Sequence, residues 1–211
     1  MKSTAVNTIL AVSAIAALTG FIAPRAEAAI NIDMQGAVYN GIGVAPDTGT
    51  TWNAAVTNGT TGPLVDSTGG LTTVTFSNDL TDTFGNNRPN DLMNGYIFTN
   101  FATRNFTISG LEFNAAYDLY FYSGVNNTGT AFTIGAQQLI LTGTEASSAS
   151  FVATDWGMLT ATSSGAGVIT GTVANSGGQY SAFNGLQIIP EPASSALAAI
   201  GALALLRRRR A

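Results

Sequence analysis

Short segments rich in β-branched and aromatic residues, separated by Gly, Asn, Asp and Ser, fill the chain from Ala29 to Ile189. No stretch there keeps a helical period for more than about ten residues, so strands and turns fit it better than helices. The predicted strands are Ile30 to Met34, Thr72 to Phe76, Tyr96 to Phe98, Asn105 to Ile108, Tyr117 to Tyr122, Ala131 to Ile134, Gln138 to Thr142, Ser150 to Ala153, Leu159 to Thr162, Val168 to Val173 and Phe183 to Ile188. This pattern predicts an all-β fold, an antiparallel β-sandwich or jelly roll.

Alternation of side chains along a strand predicts which of its faces is buried. Tyr117, Leu119 and Phe121 point to one side of their strand, and we assign that side to the core. Val168 to Val173 and Phe183 to Ile188 are predicted to pair as the closing hairpin of the domain.

The first residues have the three parts of a secretory signal peptide. Lys2 precedes a mostly apolar run from Thr8 to Ala23, and the small residues Ala26 and Ala28 follow. Small side chains at the third and first positions before a cut fit the signal peptidase pocket. We therefore predict an N-terminal signal helix that signal peptidase removes by cleaving after Ala28.

The last residues combine a rigid break, an apolar segment and a cationic end. Pro190, Glu191 and Pro192 interrupt the preceding strand and are expected to hold the junction extended and exposed. Ala193 to Leu206 would form a helix of roughly 21 Å, short of the roughly 30 Å of a bilayer core, so local thinning of the bilayer must help it to span. The cationic end is Arg207, Arg208, Arg209 and Arg210. Arginine clusters resist translocation, which predicts a transmembrane helix with this end in the cytoplasm.

This tail resembles the sorting signal of the PEP-CTERM proteins, which exosortase handles in bacteria that make extracellular polysaccharide. Pro190 to Ala211 contains the Pro-Glu-Pro motif, the apolar helix and the arginine cluster in the order of that signal. The resemblance implies export, transient retention by the tail and cleavage near Pro-Glu-Pro. A permanent, uncut anchor is the alternative, and both interpretations place the middle of the chain outside the cell.

The sequence thus predicts a signal peptide at residues 1–28, one β-sandwich domain at 29–189 and a sorting tail at 190–211. The middle segment has 10 acidic side chains, the 12 of the whole chain less Glu27 and Glu191, against Arg88 and Arg104, a net charge of −8. Because it contains no Lys, it lacks the basic patch on which nucleic-acid binding depends. Cys is absent, so disulfides and thiolate zinc sites are excluded.

A loop from Asn78 to Asp91 is dense in side-chain oxygen atoms. Its carboxylates are Asp79, Asp82 and Asp91, and four amides lie among them. Calcium accepts six to eight such oxygen ligands, so a structural calcium ion is one hypothesis. The loop lacks EF-hand spacing, and Asp and Asn are ordinary turn residues, so a solvated loop is the other hypothesis.

Aromatic side chains in or near predicted loops are candidates for stacking on a sugar ring. We assign Trp52 and Trp156 to this role first, with Tyr39, Tyr96 and Tyr180 as further candidates. The alternative is that these rings close the ends of the sandwich.

The body also resembles exported β-sandwiches of the galactose-binding type. The likeness is carried by Asn31-Ile32-Asp33, the loop around Trp52, the strand Tyr117 to Tyr122 and the closing Asn184-Gly185-Leu186-Gln187-Ile188. It implies the same sandwich fold and a sugar as ligand.

Catalysis would depend on carboxylates, since the chain has neither His nor Cys. Its Asp and Glu residues match no catalytic spacing, and most lie in predicted turns. We therefore expect a non-enzymatic protein of the cell envelope or extracellular matrix, without a cofactor apart from the calcium considered above. A carbohydrate-binding module is the main alternative, with polysaccharide as partner, and a carboxylate-dependent glycosidase is a third.

Overall fold

The computed structural model of the chain describes residues 28–35, 39–85, 89–124, 129–143 and 150–191. Its strands, in chain order, are Ile30–Asp33 (β1), Asn53–Ala54 (β2), Gly59–Thr61 (β3), Thr75–Asn78 (β4), Asp82–Gly85 (β5), Gly95–Thr99 (β6), Arg104–Ser109 (β7), Ala116–Tyr122 (β8), Thr130–Ile134 (β9), Gln137–Leu141 (β10), Trp156–Thr162 (β11), Ile169–Asn175 (β12), Ser181–Phe183 (β13) and Gly185–Pro190 (β14). A single helical turn, Asp91–Asn94 (α1), precedes β6. Ala28 to Glu191 form one compact unit.

The described strands form three sheets. The five-stranded sheet has the order β11-β8-β14-β1-β2, the six-stranded sheet β10-β9-β12-β7-β4-β3, and the three-stranded sheet β13-β6-β5. Only the pairing of β1 with β2 is parallel among the described strands. The all-β prediction is confirmed, and the mostly antiparallel pairing fits a β-sandwich.

One apolar core is shared by strands of all three sheets. Tyr117, Leu119 and Phe121 of β8 are buried in it, which confirms the face predicted from their alternation. Phe183 of β13 joins the third sheet to this core, because its ring centroid lies 6.0 Å from that of Phe121 and 4.9 Å from that of Phe132. Contacts between aromatic rings at such distances add to the free energy of burial.

The predicted closing hairpin is wrong. Val168 to Val173 belongs mainly to β12 of the six-stranded sheet, whereas Phe183 to Ile188 is divided at Asn184 between β13 and β14, which lie in the other two sheets. The Asn184 side chain donates to the carbonyl of Gly95 at 2.8 Å and accepts from the amide of Gly124 at 3.0 Å. These bonds fix the point at which the chain passes from one sheet to the other.

One predicted strand is a loop. Ser150 to Ala153 forms no strand, and the ring of Phe151 packs 5.1 Å from that of Tyr122 and 6.4 Å from that of Tyr39, centroid to centroid. Its apolar character therefore reflects burial against neighbouring rings and not a place in a sheet.

Both predicted terminal helices lie outside the described residues, as do Ala26, Pro192 and the arginines Arg207, Arg208, Arg209 and Arg210. Among the described residues, no helix combines the length and the apolar character needed to span a membrane.

Candidate functional site

Short polar side chains lie on the outer surface of the six-stranded sheet, from β3 to β9. Along β7, Phe106 and Ile108 point into the core, so Asn105 and Thr107 point outward. The strand register places similar side chains beside them on the neighbouring strands. The set, which we call the hydroxyl face, consists of Thr60, Ser77, Asn105, Thr107, Thr133, Thr170 and Thr172.

Two depressions lie on the hydroxyl face, one on each side of β7. One, of about 390 Å³, is lined by residues of β7, β9 and β12, and the other, of about 260 Å³, by residues of β3, β4 and β7. Both are lined by Asn105, Phe106 and Thr107. The depressed surface therefore extends over five neighbouring strands, from β3 to β9.

The hydroxyl groups of this face are largely unused within the protein. In the part of the chain that the structure describes, no hydrogen-bond partner is found for the hydroxyls of Thr60, Ser77, Thr107, Thr170 and Thr172. Buried hydroxyls elsewhere are paired, as in the 2.8 Å bond from Ser123 to Thr130. The hydroxyl face thus offers donors and acceptors to solvent or to a ligand.

Asp79 lies at the rim of the hydroxyl face and is held by Asn105. Its carboxylate accepts from the backbone amide of Asn105 at 2.6 Å and from the side-chain amide at 2.9 Å, and its own amide donates to the Asn105 carbonyl at 3.2 Å. These bonds extend the pairing of β4 with β7 by one residue. They engage both oxygens of the first predicted calcium ligand.

The other two predicted calcium ligands are exposed and lie on separate elements. Asp82 is on β5, where its carboxylate accepts from the Thr81 hydroxyl at 3.0 Å, and Asp91 begins α1. No group of three or more acidic side chains able to hold a metal ion occurs among the described residues. The structure thus gives the calcium hypothesis no assembled ligand set.

Removal of calcium is therefore expected to leave the stability of the protein unchanged. Thermal unfolding followed by circular dichroism, with EDTA and then with millimolar calcium, should give the same Tm within about 1 °C, since a ligand shifts Tm only by binding the native state. A Tm that rises with calcium concentration, and falls again in an Asp82→Asn variant, would show that a site exists.

The prediction for Trp52 is wrong, because its ring is only 3% exposed. Its indole nitrogen donates to the Gly41 carbonyl at 2.9 Å, and its ring centroid lies 5.2 Å from that of Tyr39 and 6.1 Å from that of Tyr122. The ring seals a loop against the five-stranded sheet, so neither of its faces is open to a sugar.

The remaining aromatic candidates differ in exposure. Trp156 is half-buried at the start of β11, with its ring centroid 6.1 Å from that of Tyr120, and its role in sugar binding stays a prediction. Tyr96 is buried beneath Tyr180, on which it stacks at 5.9 Å and 5°. Neither pair lies on the hydroxyl face.

Sequence reasoning missed a buried polar network beneath Trp52. The Gln187 side chain donates to that of Asn31 at 2.8 Å and accepts from the Tyr122 hydroxyl, which itself accepts from the Val44 amide at 2.7 Å. Both Asn31 and Gln187 alternate with apolar residues, a pattern that predicts a solvent-facing side. The loop that carries Trp52 covers this side instead.

Asp33 is a buried carboxylate at the end of β1. Its oxygens accept from the backbone amides of Gln35 at 3.1 Å and Tyr39 at 2.9 Å. Desolvation by burial outweighs these two bonds and raises the pKa of Asp33 to about 7, and the charge of Asp91 acts in the same direction. The carboxylate fastens the start of the loop that covers the five-stranded sheet.

Other acidic side chains also make local contacts. The Asp118 carboxylate accepts from the Thr160 hydroxyl at 2.9 Å, and that of Asp66 accepts from Thr68 and Gly70 within one turn. Such contacts are those of structural carboxylates, and the expectation that the chain is not an enzyme stays a prediction.

The body ends in a strand that continues through the first proline of the sorting motif. Pro190 pairs with Tyr117, and the amide of exposed Glu191 donates to the Ala116 carbonyl at 2.9 Å. The expected interruption before Pro190 is therefore wrong. Proline lacks an amide donor, but the neighbouring strand on its other side begins only at Ile30, opposite Ile188, so no ladder bond is lost.

Residues 189–210 match the PEP-CTERM protein-sorting motif. This confirms the resemblance noted for the tail. A PEP-CTERM motif indicates an exported, cell-envelope-associated protein that exosortase processes. The cleavage positions and the predicted helices stay predictions.

Solved structures resemble parts of the chain. A CBM35 domain from Cellvibrio japonicus Abf62 is 15% identical, with a TM-score of 0.35 over 51% of this chain and 83% of its own. A CBM35 domain from Paenibacillus barcinonensis is 14% identical, with a TM-score of 0.35, and the match covers 54% of this chain and 93% of that domain. The enzymatically active domain of tailspike protein 4 from bacteriophage CBA120 is 21% identical, with a TM-score of 0.28, and the match covers 61% of this chain and 18% of the tailspike chain. No curated protein matches the chain.

Proposed function

We propose that the protein is a non-enzymatic component of the cell envelope or extracellular matrix, displayed as a β-sandwich and released when its tail is cut. The sorting motif at residues 189–210 carries this proposal. The apolar segment Ala193 to Leu206 holds the precursor in the membrane, and Arg207 to Arg210 stay in the cytoplasm. A signal peptide ending at Ala28 starts export.

The position of the body within the chain supports this sequence of events. Its last strand, β14, leads directly into Glu191, which is exposed and therefore accessible to a processing enzyme. A cut beyond Glu191 leaves every described strand with its pairing partner.

Intact-mass analysis of the mature protein is expected to show loss of the first 28 residues and of everything beyond Pro-Glu-Pro. The measurement uses protein recovered from a host that contains exosortase. Replacing Pro190, Glu191 and Pro192 by Ala should leave the tail attached. A wild-type mature form that keeps Leu206 and the arginines would identify a permanent anchor, and an uncut chain in the cytosol would refute the proposal.

A carbohydrate-binding module is the second candidate function, and the hydroxyl face favours it. A shallow surface lined by hydroxyl groups that have no partner among the described residues offers the hydrogen bonds that sugar hydroxyls require. Trp52 cannot serve this function because it is buried. Saturable, sugar-specific binding on a glycan array separates this candidate from a purely structural protein.

A further inference from the structure

We propose that the hydroxyl face is a binding surface for an extended, neutral polysaccharide. The inference deepens the carbohydrate-binding alternative and rests on export of the body to a compartment where such polymers occur. It assigns binding to side chains of the six-stranded sheet that the sequence did not single out. It also places the site away from the aromatic candidates Trp52 and Trp156.

The chemistry of the face selects a hydroxyl-rich ligand. Five hydroxyls of the hydroxyl face have no protein partner among the described residues, and each can donate one hydrogen bond and accept two. Sugar hydroxyls have the same dual capacity. A second copy of this chain would fit less well, because stable protein interfaces bury an apolar centre, whereas the middle strands of this face present polar side chains and its exposed apolar residue, Ile140, lies on β10 at the edge of the sheet.

Charge selects a neutral polymer over an acidic one. None of the seven side chains of the hydroxyl face is charged, and the carboxylate of Asp79 lies at the rim, where it lines the smaller depression. The segment from Ala29 to Ile189 has no Lys and carries a net charge of −8, 10 acidic against 2 basic side chains. A uronate or sulfated chain would be repelled, whereas a neutral chain would not.

The length of the surface selects a polymer over a single sugar. The residues that line the two depressions lie on five neighbouring strands, and four strand spacings of about 4.8 Å give roughly 19 Å. Several consecutive sugar units are needed to cover that distance. Hydrogen bonds that are individually weak add up along such a ligand, so no aromatic platform is required for measurable affinity.

The test is retardation of the full chain, purified in a mild detergent, by native gels that contain soluble neutral polysaccharides such as xylan, mannan or β-glucan. Thr107→Val combined with Thr172→Val removes two hydroxyls at the centre of the face and keeps the β-branched shape. We expect this variant to lose affinity at least about fivefold, since each lost hydrogen bond has a net value near 1 kcal/mol.

Matched variants separate lost hydroxyls from altered folding. Thr162→Val makes the same change at an exposed position of β11, in the five-stranded sheet, and this variant should bind as wild type does. Thr107→Ser keeps the hydroxyl and should bind within about twofold of wild type, even if the valine variant proves unstable.

Three results would overturn the inference. They are absence of wild-type binding to every neutral polymer, equal binding by all variants, and stronger binding to polygalacturonate or alginate than to neutral chains. None of them touches export or tail processing, which the mass analysis tests separately. Loss of binding in the double valine variant, with Thr162→Val and Thr107→Ser binding as wild type does, supports the inference about the hydroxyl face.

Discussion

Phe183→Ala is expected to lower the free energy of unfolding by about 3 to 5 kcal/mol, the cost typical of deleting a buried aromatic ring. Phe183 is fully buried, and β13 brings it to the place where the three sheets meet. Its ring contacts those of Phe76, Phe106, Phe121 and Phe132. The cavity left by alanine would face all four rings, and rigid strands on each side limit how far it can collapse.

Urea denaturation followed by tryptophan fluorescence measures this loss. Phe113→Ala is the matched control, because Phe113 is 69% exposed and its truncation should change the free energy of unfolding by less than about 0.5 kcal/mol. Similar effects of the two substitutions would mean that Phe183 does not join the sheets as described.

The stability of the protein is expected to fall as pH rises from about 4 to about 7, because of Asp33. Burial raises its pKa from 3.8 to about 7 in the folded chain. Below pH 4 both states hold the proton, whereas between pH 4 and 7 only the folded state does, so each step upward in pH favours unfolding. A shift of about three pKa units corresponds to about 4 kcal/mol.

Asp33→Asn should make the free energy of unfolding less dependent on pH between pH 4 and 7, as measured by urea denaturation at pH 4, 5.5 and 7. Asp66 acts with the opposite sign. Burial acts to raise the pKa of Asp66, but hydrogen bonds from Thr68, Gly70 and Gly69 together outweigh it and lower that pKa, so the contribution of Asp66 to stability is lost as pH falls below the usual range of a carboxyl. An Asp66→Asn variant should therefore keep the slope between pH 4 and 7. An unchanged slope in Asp33→Asn would assign the effect to another group.

Local sequence patterns predicted strands well where buried and exposed residues alternate, and poorly where contacts with distant parts of the chain determine whether a strand forms. Tyr117 to Tyr122 alternates regularly and lies in β8, as expected. β2, β3 and β5 have only two to four residues each and owe their existence to a partner strand. The split at Asn184 depends on bonds to Gly95 and Gly124, which no local pattern reveals.

The burial of Trp52 was not foreseen for a similar reason. Tryptophan is a residue type that commonly stacks on sugars. Here the Trp52 side chain is buried, in the loop that covers Asn31 and Gln187. Threonines of the hydroxyl face look like ordinary strand residues in the sequence, since high β-propensity alone explains each of them. Only the register, which places Thr107 opposite both Ser77 and Thr170, shows that they form one surface.

The place of β14 limits where the tail can be severed and when the fold can be completed. This strand lies at the middle of the five-stranded sheet, between β8 and β1, although it is the last to be synthesised. β1 can pair with β2 early, but almost the whole body must be synthesised before its antiparallel partner β14 is available. A protease that cut ahead of Gly185 would remove the centre of a sheet, whereas one that cuts beyond Glu191 leaves all pairings of the described strands in place. The end of β14 is therefore both the limit of the folded body and the earliest point at which the tail can be cut without disrupting a sheet.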